Sequence, residues 1–113
     1  MSDSLFTKII NRQIPADIVY EDELCFAIKD INPQAPVHLL LIPKKPIDTL
    51  ANATAQDQAL LGHMLLAVGK ITRELKIDGA FRLAVNNGAE AGQSVFHLHM
   101  HILAGRPFRW PPG

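Results

Sequence analysis

Histidines occupy alternate positions near the end of the chain, where His97, His99 and His101 are separated by single apolar residues. Strict alternation is typical of a half-buried β-strand, because successive side chains of a strand point to opposite faces of a sheet. The pattern therefore predicts a strand over residues 95–103 that packs one face on a core and presents three imidazoles on the other. Three of the five histidines in the chain share this face, which makes it the first candidate for a functional site.

Length and composition predict one globular domain over residues 1–113. Hydrophobic residues make up 48% of the chain and charged residues 19%, a balance that argues against disorder. Eleven basic residues balance eleven acidic ones without clustering, so we expect neither nucleic acid nor a membrane as a partner. A lone Cys25 rules out an internal disulfide. The sequence shows neither a secretory signal nor a long apolar run, so a cytoplasmic location is expected.

The remaining pattern predicts an α+β fold with one short and one long helix. Apolar residues recur at helical spacing over residues 4–11. Strands are expected over residues 18–20, 25–28, 37–42, 81–85 and 95–103, the last two paired as a hairpin across a long loop. The proline-rich tail that follows, residues 107–113, is predicted to lie along the surface without helical structure.

The long helix is expected to follow Thr54, a good N-cap residue, and to end at Asp78-Gly79. Its apolar stripe consists of Leu61, Met64, Leu65, Val68, Ile71 and Leu75. A stripe of this kind packs on a core or contacts a second copy of the chain, and the sequence leaves both open. His63 lies off the stripe and is predicted to be a solvated surface residue.

The histidine row permits two kinds of chemistry. Neighbouring side chains on one strand face lie about 7 Å apart, so two of the rings can share a metal ion, whereas three converge only if the strand bends. His38 is the one other histidine on a predicted strand. Two imidazolium ions at that spacing repel by roughly 2 kcal/mol at an effective dielectric of about 20, so the row is expected to stay largely neutral. Neutral imidazole is both a metal ligand and a nucleophile, and charge does not decide between them.

The loop before the histidines, residues 86–94, contains glycine, amide and hydroxyl groups but no lysine or arginine. Glycine turns can aim backbone N–H groups at an anion, and Ser94 can donate its hydroxyl. The loop matches no P-loop or dinucleotide pattern and is equally compatible with a plain hairpin connection. Next to the histidines it indicates a cradle for a phosphate of low charge rather than for a magnesium-bound triphosphate.

These residues resemble the histidine-triad (HIT) superfamily, and most closely its Hint branch of purine nucleoside phosphoramidases. Residues 97–103 fit the motif His-φ-His-φ-His-φ-φ, in which φ is apolar. Residues 30–38, residues 92–97 and the Trp-Pro-Pro-Gly ending at 110–113 are similar to further signatures of that branch. The resemblance covers the chain from Phe6 onward and implies a five-stranded antiparallel sheet paired across a two-fold homodimer.

The resemblance also implies catalytic roles. His99, the middle histidine of the motif, matches the nucleophile that attacks the α-phosphorus and carries a nucleotidyl-imidazole intermediate. His101 matches a phosphate contact, and His97 and His38 match residues that orient the nucleophile. No cofactor and no metal ion are implied.

Binding roles follow from the same resemblance. Ser94 and the backbone of Gly92 and Gln93 match the phosphate pocket, with Asn86 nearby. Asp30 matches a ligand of the ribose hydroxyls, with Ile31 beside it, although an aspartate before Asn32-Pro33 is also typical of a turn. The apolar slot for the purine is matched by Phe6, Ile9, Ile14, Ile28 and Leu40.

Three positions depart from the branch's pattern. Ala104 stands where the branch usually has a glycine, and Asn87 and Ala91 vary the loop. These departures bear on loop flexibility and leaving-group preference, and none removes a chemical group that the mechanism requires.

The function implied is hydrolysis of the P–N bond in AMP or GMP joined to an amine. A dinucleoside polyphosphate hydrolase of the same superfamily is the nearest alternative, and the Trp-Pro-Pro-Gly ending favours the phosphoramidase. A nucleotide-binding regulatory or scaffold module is an alternative of a different class, and a metalloenzyme is a third.

Overall fold

A five-stranded antiparallel sheet organises the protein, described here from a computed structural model over residues 4–113. In sheet order the strands are β1-β2-β3-β5-β4, each antiparallel to its neighbours, as predicted. The elements are α1 (Leu5–Ile10), β1 (Ile18–Glu21), β2 (Cys25–Lys29), β3 (Val37–Pro43), α2 (Gln58–Glu74), β4 (Phe81–Ala84) and β5 (Met100–Ala104). Short 3₁₀ turns lie at Leu50–Asn52, Ala55–Asp57 and Ala89–Ala91.

The two faces of the sheet carry separate hydrophobic clusters, because side chains alternate along each strand. One face packs against α2 and includes Cys25, Ala27, Leu39, Leu41, Met64, Ala67, Val68, Ile71, Met100 and Ile102. The other face packs against α1 and includes Phe6, Ile9, Phe26, Ile28, Leu40 and Ile42. Full burial of each large apolar side chain contributes about 1.5–3 kcal/mol, so both faces stabilise the fold.

The long helix begins later than predicted and turns a different stripe inward. Thr54 accepts a hydrogen bond in a capping box with Asp57, but this box caps the 3₁₀ turn that leads into α2. The buried helix residues are Met64, Ala67, Val68, Ile71 and Thr72. Leu65 and Leu75 are 54% and 44% exposed, so these two residues of the predicted stripe do not pack on the core of the chain. The predicted stripe omitted Ala67 and Thr72, which are small and are buried.

His63 is a half-exposed partner of the β1–β2 turn rather than a solvated residue, which corrects the prediction. Its Nε2 lies 2.7 Å from Oδ2 of Asp22. The same carboxylate accepts the Tyr20 hydroxyl at 2.6 Å and the backbone N–H groups of Leu24 and Cys25. The contact therefore ties α2 to the turn between β1 and β2.

The last strand is shorter than the alternation predicts, so the three histidines do not share one strand. The β3–β5 ladder ends at the pair Leu41 and Met100, which leaves only His101 inside β5. Before that pair, the Leu98 N–H donates to the Ile47 carbonyl at 2.6 Å, in the connection that follows β3. The chain over residues 95–99 thus bends away from the sheet, although β4 and β5 pair as predicted.

The tail over residues 107–113 forms no helix or strand, in agreement with the prediction, and Trp110 is 82% exposed. None of the helices in residues 4–113 combines the length and the apolar character needed to cross a membrane.

Candidate active site

Four histidines meet on the α1 face of the sheet. His38 is the second residue of β3 and His101 lies in the neighbouring β5, two register positions away on the same face of the sheet. Nε2 of His38 and Nδ1 of His101 are 2.9 Å apart. The ring of His99 lies 5.1 Å from that of His101, centroid to centroid. The bend before β5 places His99 beside His101, whereas the His97 ring lies against Phe6 with its Nε2 on the Pro43 carbonyl.

The tautomers of His38 and His101 follow from their partners. The backbone N–H of Gln34 donates to Nδ1 of His38 at 3.0 Å, so that nitrogen carries a lone pair and Nε2 carries the proton. This Nε2–H donates to Nδ1 of His101, with Oδ2 of Asp30 a second acceptor at 3.3 Å. His101 therefore holds its own proton on Nε2, where it remains available to a ligand.

His99 and His97 are fixed by backbone carbonyls. Nδ1 of His99 lies 2.8 Å from the carbonyl oxygen of His97. Because this oxygen can only accept a hydrogen bond, Nδ1 of His99 carries the proton and Nε2 keeps its lone pair. Nε2 of His97 donates to the Pro43 carbonyl at 2.7 Å, and its Nδ1 accepts the Ser4 hydroxyl at 2.9 Å. His99 thus offers a nucleophilic nitrogen whose opposite side is held by a hydrogen bond.

Burial favours the neutral form of two of these rings. Desolvation lowers the pKa of His97, and the charge of His99 adds to the shift. Burial also lowers the pKa of His101, to about 4, assisted by His99 and His38. The sequence predicted neutral rings because of mutual repulsion, whereas desolvation is the larger cause.

The residues expected to form the purine slot lie in the α1-face cluster next to the histidines. The Phe6 ring meets His97 and His99 edge-on, with centroids 5.9 and 5.0 Å apart. Phe6, Ile9, Ile28 and Leu40 are buried in this cluster, and Ile14 is partly buried against it. Ile31 lies apart from them and is 99% exposed.

The loop over residues 86–94 is held by the side chain of Gln93, which is buried. Its Oε1 accepts the Gly88 N–H at 2.8 Å, and its Nε2 donates to the carbonyls of Asp48 and Val95. Gly92 adopts a φ of +96°, and a Cβ there would lie 3.4 Å from Nδ2 of Asn86. Ser94 is exposed at the end of this loop. The N–H groups of Ala91, Gly92 and Gln93 donate to the carbonyls of Gly88 and Ala89 within the loop.

Asn87, one of the departures from the Hint pattern, has a structural contact of its own. Its Oδ1 accepts the Ala51 N–H at 2.7 Å, which joins the loop to the 3₁₀ turn after β3.

Asp30 forms the turn that the sequence predicted, and its carboxylate also lies beside His38. Oδ1 accepts the Asn32 N–H at 2.8 Å, which is the turn-forming bond expected of an aspartate at this position. Oδ2 faces His38, so the same carboxylate borders the histidine cluster.

Two groups of potential metal ligands occur among residues 4–113. Asp30, His38 and His101 form the first, and Asp22, Cys25 and His63 form the second. In the first group a metal ion would have to replace the hydrogen bond between the two imidazoles. In the second, burial raises the pKa of the Cys25 thiol to about 12, which disfavours the thiolate that metals bind.

Sequence reasoning missed two contacts that hold the rings. Ser4 caps α1, accepting the Thr7 N–H, and also binds His97; its N-cap position could have been recognised from residue type. Gln34 binds His38 through its backbone N–H, for which no side-chain pattern gives a signal.

The fold and the site define an antiparallel α+β protein with a cluster of hydrogen-bonded imidazoles at the edge of an apolar core cluster. The sequence profile of the HIT domain matches residues 11–108. A HIT-like protein of Synechocystis is 65% identical over 111 residues, covering 98% of this chain and 97% of that one. The chain belongs to the HIT domain family.

Solved structures agree with this assignment. A HIT family hydrolase from Legionella pneumophila has a TM-score of 0.95 at 42% identity, covering 98% of this chain and all of that one. A histidine triad nucleotide-binding protein from Candida albicans has a TM-score of 0.83 at 31% identity, covering 98% and 85%.

Proposed function

We propose that this protein is a metal-independent hydrolase of purine nucleoside 5′-phosphoramidates, in which AMP or GMP is linked to an amine. The observation that carries the proposal is the state of His99, whose Nδ1–H donates to the His97 carbonyl and leaves Nε2 free to attack. The likeness to a HIT family hydrolase supports hydrolysis, and the likeness to a nucleotide-binding protein of Candida albicans supports a nucleotide substrate.

The reaction proceeds by two displacements. Nε2 of His99 forms a bond to the α-phosphorus while the P–N bond breaks, and the electron pair leaves with the amine nitrogen, which takes up a proton. Water then attacks the nucleotidyl-imidazole, releasing the nucleoside monophosphate and restoring His99. The hydrogen bond from Nδ1 to the carbonyl stabilises the positive charge that the ring acquires.

The other histidines act around this nitrogen. His101 donates its Nε2–H to a phosphate oxygen, and its lowered pKa of about 4 keeps that ring neutral near pH 7. His38 holds the His101 tautomer through the 2.9 Å contact. His97 positions His99 through its carbonyl oxygen.

Substrate recognition divides between polar and apolar groups. Asp30 binds the ribose hydroxyls, and Ser94, Asn86 and the backbone of Gly92 and Gln93 bind the phosphate. The purine packs on the apolar side chains Phe6, Ile9, Ile14, Ile28 and Leu40, and Ile31, which lies apart from them, contacts the nucleotide beside Asp30. The loop over residues 86–94 carries no cation, which suits a phosphate of single charge.

The test is release of a fluorescent amine from an adenosine 5′-phosphoramidate in the presence of a chelator. Wild type is expected to turn over, and His99→Ala is expected to lose roughly 10³-fold or more in kcat, because the covalent step is removed. His63→Ala is the matched control, since this histidine lies at the β1–β2 turn, and it is expected to retain activity. Full turnover by His99→Ala would contradict the proposal.

Two further experiments distinguish the proposed phosphoramidase from its alternatives. Diadenosine tri- and tetraphosphate are expected to be poorer substrates, and faster cleavage of these would favour a dinucleoside polyphosphate hydrolase. Activity that disappears with chelator and returns with a divalent ion would favour a metalloenzyme. We also propose a cytoplasmic location, supported by the buried, unpaired Cys25.

A further inference from the structure

Arg106 and the candidate active site are joined by a short chain of hydrogen bonds. Nε of Arg106 donates to the Gln34 carbonyl at 3.0 Å. The N–H of Gln34 donates to Nδ1 of His38, also at 3.0 Å. His38 in turn donates to His101. The Arg106 guanidinium is therefore linked through the Gln34 peptide to His38, whose ring determines which nitrogen of His101 carries the proton.

The loop that carries Gln34 is closed at its base by the Asp30 N–H, which donates to the His38 carbonyl at 3.0 Å, and Pro36 lies against Gly105, but few bonds hold the residues between. Residues 31–34 are all exposed, so core packing does not set their position. Within this loop Asp30 and Gln34 bind only to Asn32. Apart from the Gln34–His38 bond itself, the Arg106 bond is the one hydrogen bond within residues 4–113 that joins residues 31–36 to another segment.

Arg106 itself is held in place. Its Nη1 donates to the Pro107 carbonyl at 3.0 Å, and its guanidinium lies 4.4 Å from the centroid of the Phe108 ring. Gly105 has a φ of +96°, and a Cβ there would lie 2.8 Å from Cβ of Pro36. The absence of a side chain at Gly105 thus lets this segment close directly on the loop.

We propose that Arg106 is a positioning residue, which fixes the His38 tautomer by holding the Gln34 peptide against the ring. When the Gln34 N–H points at Nδ1, His38 must donate from Nε2, and His101 must keep its own proton on Nε2. When the peptide is released, Nδ1 of His38 loses its donor and only Oδ2 of Asp30, 3.3 Å from Nε2, still favours the Nε2–H tautomer. The population of the Nδ1–H tautomer therefore rises, and in that tautomer His101 no longer presents a donor to the phosphate. The effect on catalysis rests on the proposed phosphoramidase function, whereas the effect on the tautomer does not.

The experiment compares Arg106→Met with Arg82→Met by two readouts. Arg82 is the matched control, because its guanidinium also stacks on Phe108, at 5.2 Å, but donates to the Arg109 carbonyl rather than to the loop. Two-bond ¹H–¹⁵N correlation spectra report the His38 tautomer, and steady-state kinetics on an adenosine phosphoramidate separate kcat from KM.

Arg106→Met is expected to convert His38 from a single Nε2–H tautomer to a mixture. We also expect it to lower kcat by about tenfold with KM changed less than twofold, because the donor is misplaced rather than the binding groups. Arg82→Met is expected to match wild type in both readouts. Arg106→Lys, which can donate to one carbonyl, is expected to recover part of kcat.

A second variant addresses the peptide directly. Gln34→Pro keeps Arg106 but removes the N–H that donates to His38, and the same mixed tautomer is expected. An unchanged His38 spectrum in Arg106→Met or in Gln34→Pro would overturn the proposal. If wild type fails to cleave phosphoramidates, the proposed function fails, and the spectra still decide the role of Arg106.

Discussion

At the scale of single residues, the chemistry of the site depends on which nitrogen of each histidine carries the proton. The sequence predicted that these histidines form the site, because few structural roles require four imidazoles on predicted strands beside a loop that can bind an anion. It could not predict their tautomers, which are set by the carbonyls of His97 and Pro43 and by the Gln34 N–H. Backbone groups are the same at every position, so residue types carry no information about them.

The lowered pKa of His101 predicts a loss of stability in mild acid. Its folded value of about 4 lies below the ordinary value of 6.5, so the unfolded chain binds more protons between these two pH values. The free energy of unfolding should therefore fall as the pH drops from 6.5 towards 4 and should be unaffected by this group above 6.5. Urea unfolding at pH 7.5 and 5 measures the difference.

The His101→Asn variant serves as the comparison, because it lacks the titrating ring. We expect its stability to fall less than that of wild type over the same interval. The low pKa of Asp22 changes the free energy of unfolding only near and below the ordinary aspartate pKa of 3.8, so Asp22 does not contribute to the difference between pH 7.5 and 5. Equal losses in the two proteins would mean that His101 is not responsible.

Ser4 links helix stability to the site, and its removal should affect both. Ser4→Ala loses the N-cap of α1, at a cost of about 1 kcal/mol, and the hydroxyl that donates to His97. Thr54→Ala removes a cap far from the histidines and is the control. Both should lower the urea midpoint, but only Ser4→Ala should lower kcat, by severalfold. Equal kcat values would show that the hydroxyl acts only as a cap.

At the scale of elements, the strands that pair in long registers were predictable and the segment that leaves the sheet was not. Residues 25–28 and 37–42 were assigned within one residue of β2 and β3, because both strands are apolar and bounded by turn residues. Alternation alone extended β5 back to residue 95, but that segment binds the connection after β3. Which partner a segment pairs with depends on tertiary contacts that a local pattern does not contain.

The contact between His63 and Asp22 should stabilise the junction of α2 with the β1–β2 turn. Burial of the Asp22 carboxyl opposes its ionisation, but hydrogen bonds from the Tyr20 hydroxyl, a backbone N–H and His63 outweigh it and hold its pKa well below the ordinary range. His63→Ala is expected to lower the free energy of unfolding by roughly 1 kcal/mol, since the pair is partly exposed.

Chemical denaturation of His63→Ala and Gln58→Ala provides the measurement. Gln58 is exposed at the start of α2 and should change stability little. A loss no larger in His63→Ala than in Gln58→Ala would contradict a stabilising role for the contact.

At the scale of the whole molecule, α2 presents two leucines to the outside. Leu65 and Leu66 are 54% and 78% exposed. The sequence left open whether the helix stripe serves a core or a second subunit, and α2 divides it: Met64, Val68 and Ile71 face the sheet, whereas Leu65 does not. These exposed leucines are candidates for the subunit contact that the family resemblance implies.

A dimer through this helix face predicts a molar mass of about twice 12.5 kDa by light scattering for wild type. Leu66→Glu is expected to give a monomer, because it places a charge in the apolar contact. Leu24→Glu, at a leucine of the β1–β2 turn that is 44% exposed, should remain dimeric. A wild-type mass of 12.5 kDa would show the dimer expectation to be wrong.

The division of the sheet into two faces has a consequence for how such a protein can change over generations. The histidines and the apolar cluster beside them lie on the α1 face, while the α2 face carries no residue that we assign to substrate. Substitutions that improve packing under α2 can therefore accumulate without altering the residues of the candidate active site. New substrate preferences must arise on the opposite face, where each exchange also alters the core. Stability and substrate preference therefore change through substitutions on different faces of one sheet.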